Sequence, residues 1–354
     1  MNSDKKLLLI TPDFKPNRGG VARYLNELVN YYSDRINVIT SVKQPKDNPQ
    51  SNVKVEALLY SFIWPRWIKT VVILIREKLT YDTVVISHAL PFGTAALFAK
   101  IITKKSYVLF THGMDVRLAK KSLWKKFVFK RVLQGAELIV SNSNALSLEL
   151  SELGVRYVVV VYPCISNIDV HNVPTDKQKT HILTVSRLVE RKGHSNVLNA
   201  LSILRRAKKI DNLIYDIVGT GPFEKSIRSL VDGLGLTSHV VFHGDLSDSQ
   251  LDDLYRKSDV FVMPVKNDPI DKEGFGLVYI EAAKFRTPSI ATNMDGVDEA
   301  VLNNKTGVLV TDGDIEMLAK AIFTLINNDE YRMELADNAR KRVVSEFTCK
   351  KQFA

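Results

Sequence analysis

The feature that most constrains the fold is an alternation of short apolar runs with helical stretches, which occurs twice along the chain. In the first half, runs typical of buried strands lie at 6–11, 36–40, 83–87, 107–111, 138–141 and 157–161, and helices are predicted between them, for example at 21–32, 94–102 and 118–133. Several runs lack the in–out alternation of a half-exposed strand, as parallel strands covered on both faces do. The pattern predicts a parallel sheet with helices on both sides.

The same alternation restarts after a polar stretch at 164–180, which we interpret as a linker. Strands are then predicted at 181–186, 213–219, 239–242, 260–263, 289–291 and 307–310, and helices at 195–208, 224–233, 249–256, 279–285, 315–327 and 330–344. This predicts an α/β protein with two doubly wound, Rossmann-like domains at 1–163 and 181–354, facing each other across a cleft. Ligands of such sheets bind beyond the carboxyl ends of the strands.

The composition excludes several classes of protein. With 354 residues, of which 45% are hydrophobic and 25% charged, the chain has an ordinary globular composition and the length of two domains. The apolar run near the start is shorter than a signal-peptide core, and no uninterrupted apolar stretch of about 20 residues occurs. Two cysteines are too few for a disulfide framework or a Cys-based zinc site, and they suit a reducing cytosol.

The net charge of +10 is concentrated in the first half of the chain. Residues 1–170 contain 24 Lys and Arg against 13 Asp and Glu, whereas the rest of the chain is nearly balanced. The excess is densest between Lys100 and Arg131. A concentrated basic face attracts nucleic acid, an acidic membrane surface or a phosphorylated substrate.

Two loops of the first half combine glycine or histidine with the end of a predicted strand. Gly19 and Gly20 would let a ligand approach the backbone at a helix start, although an ordinary strand–helix turn has the same composition. His112 follows the strand at 107–111 and could bind a ligand hydroxyl or carbonyl, and His88 has a similar place after the strand at 83–87. A histidine of either kind could also serve the structure alone.

Two loops of the second half carry charge. Arg187 and Lys192 follow the strand at 181–186 and suit a diphosphate, although a solvated basic loop would look the same. Glu273 begins a Glu-Gly-Phe-Gly segment that leads into a helix carrying Glu281. Backbone N–H groups at that helix start would bind an anion while the two carboxylates accept hydrogen bonds from hydroxyls. Together these features indicate a nucleotide sugar as ligand.

The ordered set of motifs resembles the family 4 retaining glycosyltransferases of the GT-B fold. The resemblance rests on Gly19-Gly20, Thr111-His-Gly, Ser186-Arg-Leu…Lys192-Gly, Val218-Gly-Thr-Gly-Pro222, Phe242-His-Gly244 and the Glu-x7-Glu motif from Glu273 to Glu281, and it covers nearly the whole chain. Within the family, the motifs look closest to bacterial mannosyltransferases that use GDP-mannose on lipid acceptors. Related enzymes use UDP-sugars behind similar motifs.

The resemblance implies a hexosyltransferase and assigns roles to its residues. The implied catalytic residues are His112, Glu273, Arg187 and Lys192. The implied donor-binding residues are Gly19, Gly20, Arg187, Lys192, Gly219, His243, Glu273, Gly274, Phe275, Gly276, Leu277 and Glu281. Family members are described as retaining by front-face attack and as needing no metal or other cofactor beyond the nucleotide sugar. Asp312-Gly-Asp314 has the spacing of a metal-binding Asp-x-Asp, but we predict that it caps a helix.

The acceptor is expected on the basic first domain. The candidate acceptor or membrane residues are Trp64, Trp67, His88, Lys120, Lys121, Trp124, Lys125 and Lys126. The stretch 117–131 could lie on an anionic membrane with its lysines on lipid phosphates, or it could be a core-packed helix with a solvated basic face. We expect a cytoplasmic enzyme, peripheral to the inner leaflet of the membrane, that builds bacterial surface polysaccharide, lipopolysaccharide or glycolipid.

Other function classes remain open at this stage. A nucleotide-sugar 2-epimerase would share the fold, and a non-catalytic nucleotide-sugar sensor would share the donor residues. A nucleic-acid-binding module would use the basic half, but no recognition motif or aromatic stacking platform for nucleic acid is present in the sequence, so we expect no nucleic-acid partner. Relatives of the resembled family end in a helix that crosses back onto the first domain, and the tail that follows Phe347 here is short for that helix.

Overall fold

The computed structural model describes residues 5–44, 51–155, 157–166, 168, 179–268 and 271–354. The chain folds as two compact units, which we call unit 1 (Met1–Ser166 with Cys349–Ala354) and unit 2 (Asn167–Thr348). The predicted linker at 164–180 lies mostly outside the described residues, which include only 164–166, 168, 179 and 180 of it.

Unit 1 is built around a parallel sheet. Its strands are β1 Leu7–Thr11, β2 Ile36–Thr40, β3 Val53–Val55, β4 Thr83–Ile86, β5 Ser106–Thr111, β6 Leu138–Ser141 and β7 Val159–Val160. Its helices are α1 Gly20–Tyr31, α2 Ile68–Arg76, α3 Thr94–Thr103, α4 Met114–Lys120, α5 Leu123–Gly135 and α6 Asn144–Ser151. The spatial order is β3-β2-β1-β4-β5-β6-β7, with each neighbouring pair parallel.

Unit 2 repeats this architecture with a second parallel sheet. Its strands are β8 Thr180–Val185, β9 Leu213–Val218, β10 Val240–Gly244, β11 Val260–Met263, β12 Ser289–Thr292 and β13 Gly307–Val310, in the order β10-β9-β8-β11-β12-β13. Its helices are α7 His194–Arg206, α8 Glu224–Gly233, α9 Asp248–Lys257, α10 Leu277–Lys284, α11 Val297–Ala300, α12 Ile315–Asn327 and α13 Asp329–Glu346. The predicted α/β class with doubly wound parallel sheets is confirmed.

The apolar residues of the strands divide between the two faces of each sheet. In β1 of unit 1, Leu8 and Ile10 belong to one buried cluster, whereas Leu7 and Leu9 belong to another. Because successive side chains of a strand point to opposite faces, this division shows that both faces are covered. The absence of in–out alternation in the sequence therefore has the expected physical cause.

One predicted helix of unit 1 is wrong in its bounds. The sequence pattern predicted a single helix at 118–133, whereas the structure contains α4 and α5 with a break between them. Ser122 has an extended backbone there, with φ −136° and ψ 131°, and precedes the first turn of α5. The chain therefore changes direction at a residue type that helix starts favour.

The two cysteines of the chain lie together in unit 1. Cys164 and Cys349 form a disulfide, with their Cα atoms 5.0 Å apart. Cys349 opens the last helix, α14 Cys349–Phe353, which belongs to unit 1 although it follows all of unit 2 in sequence. Phe353 of this helix is buried against α1, and its carbonyl oxygen accepts a hydrogen bond from the Tyr32 hydroxyl. The bridge thus ties the chain's last helix to the segment that follows β7.

Candidate active site

The charged candidates of unit 2 lie where the chain connections of the sheet diverge. β8 lies between β9 and β11 in the sheet. The chain passes from β8 to β9 on one side, whereas β11, on the other side, continues to β12 in the opposite direction. The loops that leave the carboxyl ends of such a strand pair form a crevice, where ligands of doubly wound sheets bind. Arg187 follows β8, and the loop that contains Glu273 follows β11.

Two glycines set the close packing of the loops around this crevice. Gly193 has a φ of +77°, and a Cβ at this position would overlap the carbonyl oxygen of Pro264. Gly219 has a φ of +118°, and a Cβ there would overlap the carbonyl oxygen of Ser186. Any other residue would combine a disfavoured backbone conformation with a steric clash. The motif glycines therefore hold the loops that follow β8, β9 and β11 against one another.

Glu273 is held by two cations in a largely buried cluster. Its Oε2 lies 2.6 Å from Nζ of Lys192 and 3.0 Å from Nη1 of Arg191. Arg191 also donates from Nε to Oδ2 of Asp271 at 2.6 Å. The side chains of Lys192 and Glu273 are only 11% and 16% exposed. These contacts fix the Glu273 carboxylate in one place, which is what a group that orients a ligand hydroxyl requires.

The same cations decide the charge state of Glu273. Burial by itself raises the pKa of a carboxyl group, but the charges and hydrogen bonds of Lys192 and Arg191 outweigh it and lower the pKa of Glu273 to about 2. Glu273 is therefore ionised at every physiological pH. As an acceptor of hydrogen bonds, it can bind hydroxyl groups but repels phosphate.

Arg187 differs from Lys192 although the sequence suggested one pair of cations. Arg187 is exposed, and among the described residues its side chain has no hydrogen bond or ion pair. Lys192 is bound to Glu273, so its positive charge is partly compensated. Arg191, which the sequence analysis did not select, is the second cation on Glu273. Arg191 is the middle residue of a short 3-10 turn, Glu190–Lys192. A sequence pattern does not reveal which side chains of such a turn point inward.

The segment after Glu273 leads into α10 with tight packing. Gly276 has a φ of +85° and precedes Leu277, the first residue of α10. Phe275 is buried against Phe347, with ring centroids 5.4 Å apart, so it anchors the segment rather than offering a side chain to a ligand. The backbone of Gly274 approaches Gly296 so closely that a Cβ on Gly296 would overlap its carbonyl oxygen. The start of α10 thereby has the positive end of its helix dipole held in a fixed position.

Glu281 and His243 both make contacts within unit 2. Glu281 is half-buried, and its Oε2 accepts a hydrogen bond from the Tyr255 hydroxyl at 3.1 Å. His243, at the end of β10, lies with Nε2 2.7 Å from Oδ1 of Asp216, whose other oxygen lies 2.7 Å from Nδ1 of His181. The His243 ring is therefore tied to Asp216. Contacts to a ligand at this point of β10 would therefore come from the backbone.

The candidates of unit 1 follow β1 and β5 of its own sheet. Gly19 caps α1 and, like Gly20, has no atom within 4 Å of a Cβ built on it, so the space beside both is open. His112 follows β5, and its backbone N–H donates to Oδ1 of Asp115 at 3.2 Å. Its ring atom Nε2 is buried without a hydrogen-bond partner among the described residues. Burial, with a smaller effect from His88, lowers the pKa of His112 to about 3, so its ring is neutral.

Comparison with known proteins decides the family. The family model "Glycosyl transferases group 1" matches residues 167–342, and the model "Glycosyltransferase Family 4" matches residues 18–167. The chain belongs to the family 4 glycosyltransferases. It is 27% identical over 97% of its length to a GDP-mannose-dependent alpha-(1-6)-phosphatidylinositol monomannoside mannosyltransferase of Mycobacterium tuberculosis, covering 94% of that protein. The chain is also 26% identical to a GDP-mannose-dependent monoacylated alpha-(1-6)-phosphatidylinositol monomannoside mannosyltransferase of Corynebacterium glutamicum, over 98% of this chain and 96% of that protein.

Solved structures agree with the fold. The crystal structure of HepE from Anabaena in complex with UDP and glucose superposes with a TM-score of 0.81 at 21% identity, covering 98% of this chain and 96% of that one. The glycosyltransferase therefore has the GT-B fold. Its family models and its relatives, rather than this structure, support a hexosyltransferase that uses a nucleotide sugar. The predicted family, fold and enzyme class are confirmed.

Two expectations about this glycosyltransferase concern metals and membranes. Asp314 caps α12 by accepting a hydrogen bond from the Met317 N–H at 2.8 Å, which confirms the predicted capping role. Asp312 accepts a hydrogen bond from the backbone N–H of Asn267 at 2.9 Å. Within the described ranges no cluster of His, Cys, Asp or Glu has a metal-binding arrangement. A search of the same residues finds no helix with the length and apolar character needed to cross a bilayer.

The aromatic and basic candidates of unit 1 lie on its surface. Trp64 is 88% exposed and Trp124 is 72% exposed, whereas Trp67 is half-buried and stacks on Phe98. Leu123 and Phe127 are also exposed on α5, while Phe129 of the same helix is buried. Lys120, Lys121, Lys125 and Lys126 lie on the same stretch, and of these Lys120 is paired with Glu152 at 3.5 Å. For Leu123 and Trp124, the alternative of a core-packed face is therefore wrong.

Proposed function

We propose that this glycosyltransferase moves a hexose, with mannose from GDP-mannose as the favoured donor, to a lipid-linked or glycan acceptor with retention of the anomeric configuration. The observation that carries the proposal is the Glu273 carboxylate, which Lys192 and Arg191 hold in place four residues before the first residue of α10. The exposed Arg187 lies on the same loop after β8 as these two cations. The carboxylate would bind sugar hydroxyls, and the cation and the helix N-terminus would bind phosphate. This combination matches a sugar diphosphate.

The reaction follows from these groups. The bond between the anomeric carbon and the diphosphate oxygen breaks, and a bond to the acceptor oxygen forms on the same face of the sugar. The leaving diphosphate accepts the proton of the acceptor hydroxyl. Arg187, Lys192 and the N–H groups at the start of α10 stabilise the charge that develops on the leaving group. We propose that these fixed charges are sufficient without a metal or another cofactor.

The choice of donor rests on the relatives. Two mannosyltransferases named as GDP-mannose-dependent match more than nine-tenths of the chain, which favours GDP-mannose. The structure of HepE with UDP and glucose supports the alternative, a UDP-sugar donor such as UDP-glucose, UDP-galactose or UDP-N-acetylglucosamine. The His243 ring is already bound to Asp216, so the base would be recognised through the backbone of β10. Because every residue type has the same backbone groups, the sequence of β10 does not distinguish a guanine from a uracil nucleotide.

Donor-dependent thermal stabilisation tests this proposal. Purified protein is titrated with GDP-mannose, GDP, UDP-glucose and UDP-N-acetylglucosamine, with and without EDTA. A ligand at 100 times its Kd stabilises the native state by about 2.7 kcal/mol. We expect GDP-mannose to raise the Tm equally in both buffers, because the binding groups belong to the protein. NMR of the glycosylated product then gives its anomeric configuration.

Matched variants locate the binding. Arg187→Ala is expected to weaken GDP-mannose binding about tenfold or more, since it removes a charge-assisted contact to phosphate. Arg206→Ala is the control, because Arg206 is also an exposed arginine and lies at the end of α7. Equal loss in both variants would show only a general charge effect. If no nucleotide sugar raises the Tm, the proposed donor site is wrong.

For the acceptor, we propose that unit 1 rests on the cytoplasmic face of an anionic membrane. α5 ends two residues before β6 begins, so its first turn, with Leu123 and Trp124, points towards the carboxyl edge of the sheet. The loop with Trp64 follows β3 and lies at the same edge. Lysines beside exposed aromatic and aliphatic side chains suit a surface of anionic lipid headgroups. A lipid-linked acceptor of a surface-glycan pathway, including lipopolysaccharide, would be presented there.

Two leucines provide a matched test of this membrane contact. Leu123 and Leu79 are both 89% exposed, but Leu79 precedes β4 and lies at the amino edge of the sheet. Leu123→Ser is expected to weaken co-sedimentation with phosphatidylglycerol vesicles about tenfold, because a buried leucine contributes roughly 1.5–3 kcal/mol. Leu79→Ser should leave it unchanged. Equal binding to uncharged phosphatidylcholine vesicles, or equal loss in both variants, would contradict the proposal.

A further inference from the structure

Lys192 and Arg191 bind the same oxygen of Glu273. Oε2 accepts one hydrogen bond from Nζ of Lys192 at 2.6 Å and another from Nη1 of Arg191 at 3.0 Å. Oε1 has no hydrogen bond to any residue that the structure describes, so it is the oxygen left for a ligand hydroxyl. One carboxylate therefore has two adjacent cations, although a single cation would balance its charge.

The two cations differ in how firmly they are held. Arg191 also donates from Nε to Oδ2 of Asp271 at 2.6 Å, and its backbone carbonyl accepts a hydrogen bond from the Lys266 N–H at 2.7 Å. Within the described part of the chain, the ammonium of Lys192 has Glu273 as its one hydrogen-bond partner. A guanidinium that bridges two carboxylates has a fixed plane, whereas an ammonium on a four-carbon stem turns readily. Lys192 can therefore leave Glu273 by giving up one contact, while Arg191 stays.

A nucleoside diphosphate competes with Glu273 for Lys192. A diphosphate has more negative charge and more acceptor oxygens than a carboxylate, so it attracts an ammonium group within its reach. Glu273 is largely buried, and a buried carboxylate that lost both cations would be strongly destabilised. Arg191 prevents this, because it remains on Glu273 when Lys192 moves. Without Arg191, the carboxylate would retain Lys192 and keep it from the phosphate.

We propose that Arg191 is a positioning residue of the donor site, which holds the Glu273 carboxylate in place and thereby frees Lys192 to bind the donor diphosphate. Lys192 exchanges one anionic partner for another, and no covalent bond changes. The inference rests on the proposed function and divides the work between two neighbouring cations. Arg191 serves the carboxylate that binds the sugar, and Lys192 serves the diphosphate.

Calorimetric titration with GDP and GDP-mannose tests the proposal, with UDP and UDP-glucose as the probes if that pair binds to the wild type instead. GDP has the diphosphate but no sugar, so it reports on Lys192 without a sugar contact to Glu273. Arg191→Gln is expected to raise the Kd of GDP about tenfold or more, since Glu273 then retains Lys192 and a charge-assisted contact to phosphate is lost. Glu273→Gln should bind GDP at least as tightly as the wild type, because no carboxylate then holds Lys192. An unchanged Kd of GDP in the Arg191 variant would overturn the proposal.

A double-mutant cycle separates this role from support of the fold. In a Glu273→Gln background, Arg191→Gln should change the Kd of GDP by less than about twofold, since Lys192 is already free. A residue that only stabilises its loop would weaken binding by the same factor in both backgrounds, and that result would overturn the proposal. Arg191→Lys keeps the charge but loses the second contact, so its Kd should lie between those of the wild type and Arg191→Gln.

Arg332→Gln is the matched control for the Arg191 variant. The side chains of Arg332 and Arg191 are both 15% exposed, and Arg332 also pairs with two carboxylates, those of Asp259 and Asp329. Asp259 immediately precedes β11, so this cluster lies at the amino edge of the sheet. Arg332→Gln should therefore leave the Kd of both nucleotides within about twofold of the wild type.

The outcomes distinguish this inference from the proposed function. If no nucleotide binds to the wild type, the proposed function is wrong, and the inference that rests on it is wrong as well. If the wild type binds GDP and the Arg191 and Arg332 variants lose affinity equally, the inference alone is overturned.

Discussion

Glu273 shows how a single residue can combine burial with a permanent charge. Its carboxylate is 16% exposed, yet Lys192 and Arg191 keep its pKa near 2. The motif in the sequence identified Glu273 and Lys192 as candidates, since their residue types and spacing are distinctive. It did not identify Arg191, or the different surroundings of Arg187 and Lys192. Those depend on which side chains of a short turn point inward, and a sequence pattern does not show that orientation.

The lowered pKa of Glu273 predicts a pH dependence of stability. A carboxyl group whose pKa falls from its ordinary 4.5 to about 2 on folding stabilises the native state above pH 4.5. This contribution, about 3 kcal/mol, is lost as the pH falls from 4.5 towards 2. Glu273→Gln should therefore lose less stability than the wild type between pH 5 and pH 3. Hydrogen exchange of α10, measured by mass spectrometry across this range, gives the free energy of unfolding.

The control for this pH series is Glu316→Gln, since Glu316 is exposed on the first turn of α12. It should follow the wild-type curve. Parallel curves for the wild type and the Glu273 variant would show that Glu273 is not ionised preferentially in the folded state. The comparison uses the slope of the free energy of unfolding against pH, not its absolute value. It therefore remains valid although removal of the Glu273 charge leaves Lys192 and Arg191 without their partner and lowers the stability of the variant at every pH.

At the scale of elements, α5 illustrates what an amphipathic pattern does not decide. Leu123, Trp124 and Phe127 fall on one arc of the helix, and the sequence allowed that arc to face either the core or a membrane. In the structure, the buried face is formed by Phe129, Val132 and Leu133. Both arcs are apolar, so only the break at Ser122 and the position of α5 on the sheet select between them. The lysines around the exposed arc then determine the kind of surface that it suits.

The disulfide is the element-scale feature that a count of two cysteines did not foresee, because pairing depends on where α14 lies. Cys349→Ser is expected to lower the free energy of unfolding of unit 1 by about 3–5 kcal/mol, since it removes a cross-link between residues 185 positions apart. Urea unfolding followed by tryptophan fluorescence reports on unit 1, which contains Trp64, Trp67 and Trp124.

Reduction of the wild type provides the matching control. The reduced wild type and the Cys349 variant should unfold at the same urea concentration, and a reductant should not change the variant further. An unchanged midpoint in both would show that the packing of Phe353 on α1 suffices to hold α14. Tyr24, Tyr31 and Tyr32 all lie within 6.3 Å of the Phe353 ring, so this packing has a contribution of its own.

For the whole molecule, the sequence predicted more of the architecture than of its details. Two rounds of strand–helix alternation predicted two doubly wound sheets, because each parallel strand needs a crossover to reach the next. The pattern missed β3, a strand of three residues at the sheet edge. Short edge strands carry little apolar signal of their own. The candidate residues around Gly276, which would act through the backbone, were suggested by their glycines rather than by the chemistry of their side chains.

The bond between Cys164 and Cys349 also changes the covalent connectivity of the molecule. The chain leaves unit 1 after Ser166 and returns to it at Cys349, so both crossings lie within a few residues of the bridge. All of unit 2 is thus contained in one closed ring of polypeptide. A single backbone nick anywhere in unit 2 leaves every fragment joined in one molecule, and the pieces part only when the sulfurs are reduced. In its covalent topology, unit 2 is a domain inserted into unit 1, with its two ends fastened together.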